Sequence, residues 1–227
     1  SVTAGTIFHD SHLPLWKWFL ATYMMIESRK GISANQIKRS LRVAYRTAWY
    51  LCHRIRAAMT ETNPQPLSGI VEVDETWVGG KNWFKGKKWW SNYQERPKTI
   101  LLGMVERGGK VKMVPIRDTD KATLTTQLMM NVRPRSWIIT DGWHGYSPLD
   151  SLGYRHSFVN HMVHYTDKRN PHVHTQNIEG FWGQLKRGLT GVYRHVSSNY
   201  LLNYCQEYAF RYNHRQEDVF EVLLKQI

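Results

Sequence analysis

Apolar positions in the first sixty residues recur at helical spacing. Leu15, Trp18, Phe19, Thr22 and Ile26 are separated by three or four residues and predict one apolar stripe on a helix over Ser11–Arg29. Ser11 is suited to cap it and Pro14 to its first turn. Gly31 breaks the pattern and Ser33 restarts it. Val43, Thr47, Tyr50, Leu51, Arg54 and Ile55 then carry a second helical rhythm toward Met59. Pro64 and Pro66 mark a linker over Thr62–Ser68. Beyond it the pattern changes to strands: Ile70–Val78, Thr99–Glu106 and Val111–Ile116, the last two joined by the turn Arg107-Gly108-Gly109. Lys121–Met130 reads as a helix, Trp137–Thr140 as a strand, and Arg155–Val159 as a weaker strand. Asn177–Leu189 and Asn199–Asn213 read as closing helices. The expected division is a helical region over 1–62 followed by a second, α/β domain over 63–227.

Composition narrows the partners. Thirty-one Lys and Arg stand against 18 Asp and Glu, a formal charge of +13, which favours polyanions, nucleic acid first. Residues 1–62 carry nine basic and three acidic residues, so the excess of +6 there nearly equals the +7 of the much longer remainder. Cys52 and Cys205 lie far apart without metal-ligand spacing, which fits packed thiols in a reducing compartment. The most apolar stretch, Leu13–Ile26, is interrupted by Lys17 and too short to span a bilayer, so no membrane association is expected. No secretory leader is visible.

Three carboxylates carry the candidate chemistry. Asp74 ends an apolar alternation and Asp141 ends the run Ser-Trp-Ile-Ile-Thr-Asp; Glu179 opens a helical run. Two acids at strand ends and one on a later helix can converge at one edge of a mixed sheet. Converging anions repel unless a cation compensates, and hard divalent ions take oxygen ligands, so Mg²⁺ or Mn²⁺ is the natural occupant. Two such ions suit phosphodiester chemistry. Each acid by itself reads equally well as a solvated turn or cap residue. Lys186 lies seven positions after Glu179, two helical turns on, where it would meet a DNA phosphate.

Taken in order, Asp-Glu-Thr-Trp-Val-Gly-Gly-Lys from Asp74, Thr-Asp-Gly-Trp-His-Gly-Tyr from Thr140 and Asn-Ile-Glu-Gly-Phe-Trp-Gly-Gln-Leu-Lys-Arg-Gly from Asn177 resemble the ISXO-like DDE transposases of bacterial insertion sequences, the insertion-sequence fifteen-ninety-five family. The likeness continues through Tyr193-Arg194-His195 and Glu207–Arg215. It implies an RNase H-like mixed sheet with flanking helices that cuts and joins DNA with two metal ions held by Asp74, Asp141 and Glu179. It also implies terminal inverted repeats and target DNA as partners, a homodimer or larger synaptic assembly, and the bacterial cytosol or nucleoid as location. Relatives often carry a zinc ribbon upstream; its cysteines are missing here, so the chain is expected to start after it. Some members use Asn as the third residue, which keeps Asn177 open beside Glu179. An anion holds a divalent ion better than an amide does, which favours Glu179. Two other readings remain: an RNase H-like nuclease that cuts without joining, and an inert DNA-binding protein.

The two helices after Ser33 resemble a helix-turn-helix that would precede the catalytic domain, with Tyr45, Arg46 and Trp49 placed where a recognition helix enters a groove and Arg42, Arg46, Arg54 and Arg56 placed to meet phosphates. A plain packed unit with a basic face is the alternative. Lys81, Lys85, Lys87 and Lys88 interleave with Trp83, Phe84, Trp89 and Trp90, a composition suited to phosphates and unpaired bases, or to a basic loop whose aromatics pack on the sheet. Arg187 extends the basic stretch that begins at Lys186. His161-x-x-His164 and His172-x-His174 lack the cysteines of a zinc site; His174 is the expected active-site neighbour.

Overall fold

The computed structural model describes residues 3–79, 98–159, 171–194 and 196–227. Lys81, Lys85, Lys87, Lys88 and the aromatics between them, His161, His164 and His195 lie outside the described residues. The elements are α1 (Leu15–Glu27), α2 (Ala34–Leu41), α3 (Tyr45–Ala58), β1 (Ile70–Val78), β2 (Thr99–Glu106), β3 (Val111–Ile116), α4 (Lys121–Asn131), β4 (Trp137–Asp141), β5 (Arg155–Val159), α5 (Gln176–Arg187), α6 (Ser198–Asn213) and α7 (Val219–Leu224). A short 3₁₀ turn follows β4 at His144–Tyr146, and α5 runs into a π-helical turn at Gly188–Val192.

The strands form one sheet in the order β3-β2-β1-β4-β5. The hairpin pairs β1–β2 and β2–β3 are antiparallel; β1–β4 and β4–β5 are parallel, with α4 making the crossover. This mixed sheet flanked by helices is the expected RNase H-like architecture, and each predicted strand is present. Side chains alternate across the sheet. Val71 and Val73 of β1 join Leu102, Met104, Ile138, Leu124 and Leu128 in one buried layer. Glu72 and Asp74 point to the opposite face. There Gly103, paired with Asp74 on β2, lies under Trp182 and Ile178 of α5, and a Cβ at Gly103 would meet the Ile178 Cδ1 at 2.8 Å and run into the Trp182 ring. Glycine at this one position is therefore what lets α5 lie close to the strand that carries Asp74.

The chain groups into two compact units, one comprising Ser1–Gln65, Gly183–Arg194 and Tyr200–Ile227, the other Pro66–Trp182 with His195–Asn199. A division at 62/63 follows the linker, yet the end of α5, most of α6 and all of α7 group with the N-terminal helices. A buried polar knot explains this. Glu207 of α6 is fully buried and accepts from Arg56 Nε at 2.6 Å, from Arg211 Nη1 at 2.6 Å and from the Tyr193 hydroxyl at 2.9 Å. Arg56 also lies 4.0 Å from the Tyr204 ring centre. Its expected role at a phosphate is thus replaced by a buried ion pair; Arg56 follows Cys52 by four residues and continues the buried stripe Ala48, Leu51, Cys52, Ile55. In α1 the buried face is Trp18, Ala21, Thr22, Met25 and Ile26, while Leu15 and Phe19 of the expected stripe are exposed. Burial pushes the Cys52 thiol up to about 11, in keeping with a packed, unreactive thiol.

Removing one partner of such a pair leaves a buried charge, so Glu207→Ala should lose about 3–5 kcal/mol in urea denaturation. Burial pushes the Glu207 carboxyl up, but Arg56 and Arg211 outweigh it and hold it below the usual carboxylate range. The contribution is therefore complete above the unfolded-state pKa and is lost as pH falls through the depressed folded value. The stability gap between parent and Glu207→Ala should narrow on acidification below the ordinary carboxylate range, read from denaturation midpoints against pH.

Candidate active site

The β1–β4 ladder ends at Glu72 paired with Ile139. Continued by two residues, this register sets Asp74 beside Asp141, the last residue of β4. Beyond the last pair the two strands part, and the edge of β1 facing β4 is open. Asp74 and Glu75 point to opposite faces of β1, yet at this open edge both carboxylates reach round toward Asp141. One oxygen of each of Asp74, Glu75 and Asp141 lies within 4.8 Å of the others, the only such group of His, Cys, Asp and Glu among the described residues. Glu75 was not expected, because strict alternation sends neighbours apart. The signal that marks it is an adjacent acid pair on a strand whose partner strand also ends in an acid.

Burial and crowding raise the proton affinities. Asp74 is pushed up to about 6 by burial first, then by Asp141, with a smaller push from Glu179. The backbone N–H of Glu75 and the indole N–H of Trp182, which is buried and short of hydrogen-bond geometry, draw it partly back. Glu75 is pushed up to about 7 by burial and by Asp141 and Asp74, against a 2.5 Å hydrogen bond donated by the Tyr146 hydroxyl. Asp141 Oδ1 accepts from the backbone N–H of Trp143 at 3.2 Å. Three all-oxygen donors under mutual repulsion fit a hard divalent cation and offer no soft ligand.

Glu179 lies outside this group of three. It is exposed on the first turn of α5, accepts from the Thr175 hydroxyl at 2.7 Å, and stands close enough to raise Asp74. Asn177 is turned to other work: its amide Nδ2 donates to Glu72 Oε1 at 2.7 Å. His174 sits with Nδ1 3.3 Å from the same oxygen, and burial and the Arg107 guanidinium hold it below its usual pKa. Ile178, Phe181, Trp182 and Leu185 are the buried stripe of α5, as the spacing predicts, while Lys186 and Arg187 are exposed.

In the helical unit, Ser33 caps α2 by accepting from Gln36 N, and Arg42, with φ 50°, makes the turn into α3. Tyr45 and Arg46 are exposed at the start of α3. Trp49 is instead half-buried, with its ring 4.1 Å from His53 and edge-on to Tyr200.

Because the carboxyls of Asp74 and Glu75 are raised, their stabilising balance is complete below the unfolded-state pKa and is lost as pH rises through about 6 and about 7. Without divalent cation at pH 8, Asp74→Asn should therefore be more stable than the parent, by about 1–3 kcal/mol. Mn²⁺ should raise the melting temperature of the parent and not of the variant, and its binding should release protons, seen by calorimetry in buffers of different ionisation enthalpy.

The chain matches the model of the ISXO2-like transposase domain over residues 66–213. It is 27% identical over 222 residues to an uncharacterised protein in the transposable element ISH50 of Halobacterium salinarum, covering 91% of this chain and 72% of that one. It is 27% identical over 118 residues to an uncharacterised transposase-like protein of Haemophilus influenzae, covering 52% of this chain and 93% of that one. Among solved structures, the catalytic core domain of BIV integrase covers 70% of this chain and 95% of its own at 15% identity and a TM-score of 0.39. With most of the sheet and all three clustered carboxylates inside the matched region, the chain belongs to the ISXO2-like transposase domain family.

Proposed function

We propose that this chain is an insertion-sequence transposase that binds the terminal inverted repeats of its element, cleaves DNA at the element end and transfers that end to target DNA. The observation that carries the reading is the Asp74–Glu75–Asp141 carboxylate group at the parting of β1 and β4 in a chain of this family. Two Mg²⁺ or Mn²⁺ ions, when bound, supply Lewis-acid stabilisation of the scissile phosphate and raise the acidity of the attacking hydroxyl. Asp74 and Asp141 sit at adjacent register positions and would flank the ions together. Glu75, tied to Tyr146, fixes the group from the other face of β1. Glu179 is the proposed third acid of the DDE set, brought in by α5. The engagement of the Asn177 amide by Glu72 supports Glu179 over Asn177. In cleavage, water attacks the phosphorus and the 3′-oxygen of the element end leaves as a hydroxyl. In transfer, that hydroxyl attacks a target phosphodiester and displaces the target's own 3′-oxygen.

Lys186 and Arg187 are exposed cations at the end of the α5 helix and would position the terminal phosphate; Arg42, Tyr45 and Arg46 would meet the repeat in a groove. Holding two ends at once calls for a homodimer or larger synaptic assembly. Among the described residues no helix is long and apolar enough to cross a membrane. The proposed place of action is the element's own DNA, in the bacterial cytosol or nucleoid.

Asp74→Asn, Asp141→Asn and Glu179→Gln should each lower end cleavage by at least about 10²–10³-fold with DNA binding retained, whereas Asn177→Ala should keep a larger share of activity. A dead Asn177→Ala beside an active Glu179→Gln would reverse the assignment of the third residue. Joining assays with a pre-cleaved end separate a transposase from a nuclease that only cuts. Lys186→Ala should melt within about 0.5 kcal/mol of the parent, and the log–log slope of its DNA affinity against salt should fall by about one unit.

A further inference from the structure

Glu72 is the least expected residue of β1: a carboxylate with no exposed surface, two positions before Asp74 on the same face. Three of its bonds serve the start of α5. Oε2 accepts from the backbone N–H of Asn177 at 2.8 Å and of Ile178 at 3.1 Å, and Oε1 accepts from Asn177 Nδ2 at 2.7 Å. These amides are among the helix-start donors that have no partner within the helix. A strand residue thus caps a helix from outside.

Arg107 closes the arrangement. Following the last residue of β2, it donates through Nε to Glu72 Oε1 at 2.7 Å, through Nη1 to the His172 carbonyl at 2.6 Å and through Nη2 to the His174 carbonyl at 2.8 Å. Its own backbone N–H is bonded to the Ile70 carbonyl at 2.9 Å, which fixes it to the start of β1. All three donor directions of one planar guanidinium are used, a geometry that a lysine ammonium cannot copy. Through this 2.7 Å ion pair Arg107 balances the buried charge of Glu72.

We infer that Glu72 and Arg107 form a positioning clamp that locks the first turn of α5 to β1, and so sets Glu179 against the Asp74–Glu75–Asp141 group. The path is short. Asp74 is two residues from Glu72 along β1, and Glu179 is one residue from Ile178, whose N–H Glu72 holds. Glu179 N is bonded to the Thr175 carbonyl at 3.1 Å and its carboxylate accepts from the Thr175 hydroxyl, so the turn that carries it is continuous with the segment Arg107 grips. Neither clamp residue touches the reacting atoms. This inference rests on the proposed function, because it assigns the clamp a consequence for cation-dependent cutting.

The test uses the full chain with Glu72→Gln, and Arg107→Lys as the second variant should the first fail to fold. Three quantities are read well below the melting temperature: binding of Mn²⁺ alone by calorimetry, the Mn²⁺ dependence of supercoiled-plasmid nicking, and amide exchange over residues 174–179. The clamp predicts faster exchange at Asn177, Ile178 and Glu179 by tenfold or more. It also predicts a tenfold higher Mn²⁺ midpoint for nicking, with the rate largely recovered at saturating Mn²⁺. A purely structural role would lower the melting temperature and leave the Mn²⁺ midpoint unchanged. A parent that binds and nicks with Mn²⁺, beside variants whose midpoints match it within twofold, overturns the clamp alone. A parent that neither binds Mn²⁺ nor nicks overturns the cation-dependent reading and the clamp together.

Discussion

Electrostatic repulsion among half-buried carboxylates is the constraint around which the catalytic unit is arranged. A carboxylate withdrawn from water favours its neutral form, and each neighbouring anion adds to that preference. Asp74 and Glu75 show both effects, displaced to about 6 and about 7. Such a group destabilises the fold that holds it near neutral pH unless a cation is present. The rest of the unit supplies the rigidity needed to keep it together. β1 is braced by β2 along its length and by β4 along its first part, and the layer built on Val71, Val73 and Leu124 fixes one face. On the other face the bare backbone of Gly103 admits Trp182 and Ile178. The repulsion is therefore borne by the central strand of the sheet.

Charge withdrawn from water is treated in two opposite ways. Among the described residues Glu72 and Glu207 are the fully buried acids, yet each is matched by arginine and by several N–H or O–H donors. A buried acid with a full set of donors is a structural fastener. Among the described residues no arginine or lysine forms an ion pair with the Asp74–Glu75–Asp141 group, and its members lean on a tyrosine hydroxyl and on backbone donors. That contrast, more than the number of acids, separates the site from the framework.

Much of this was legible in the chain. Alternating apolar positions gave every strand of the sheet, and the runs ending in Asp74 and Asp141 marked the acids that the sheet brings side by side. Glu75 was not legible, because its convergence depends on where the β1–β4 ladder stops, a tertiary fact with no local signature. Glu72 looked like an ordinary polar interruption of a strand, since its partners lie 35 and 105 residues away. Arg56 read as surface charge because a basic helix invites that reading; its position four residues after Cys52 was the clue to burial. The short α7, started by the Asp218 side chain accepting from Phe220 N and Glu221 N, was too brief for its periodicity to stand out.

The Arg56–Glu207 pair joins positions 151 residues apart. Loops of that length close slowly, and contacts so distant in sequence delay folding. During synthesis the ribosome releases α1 to α3 first, then every strand of the sheet, and only then α6. Until that moment Arg56 has no counter-ion, and the apolar faces destined for Phe210 and Leu223 are uncovered. The helical unit is thus completed last although its first helices are made first. A nascent chain that stops short of α6 carries an unfinished helical unit, so the fold of that unit is tied to translation of the whole matched domain.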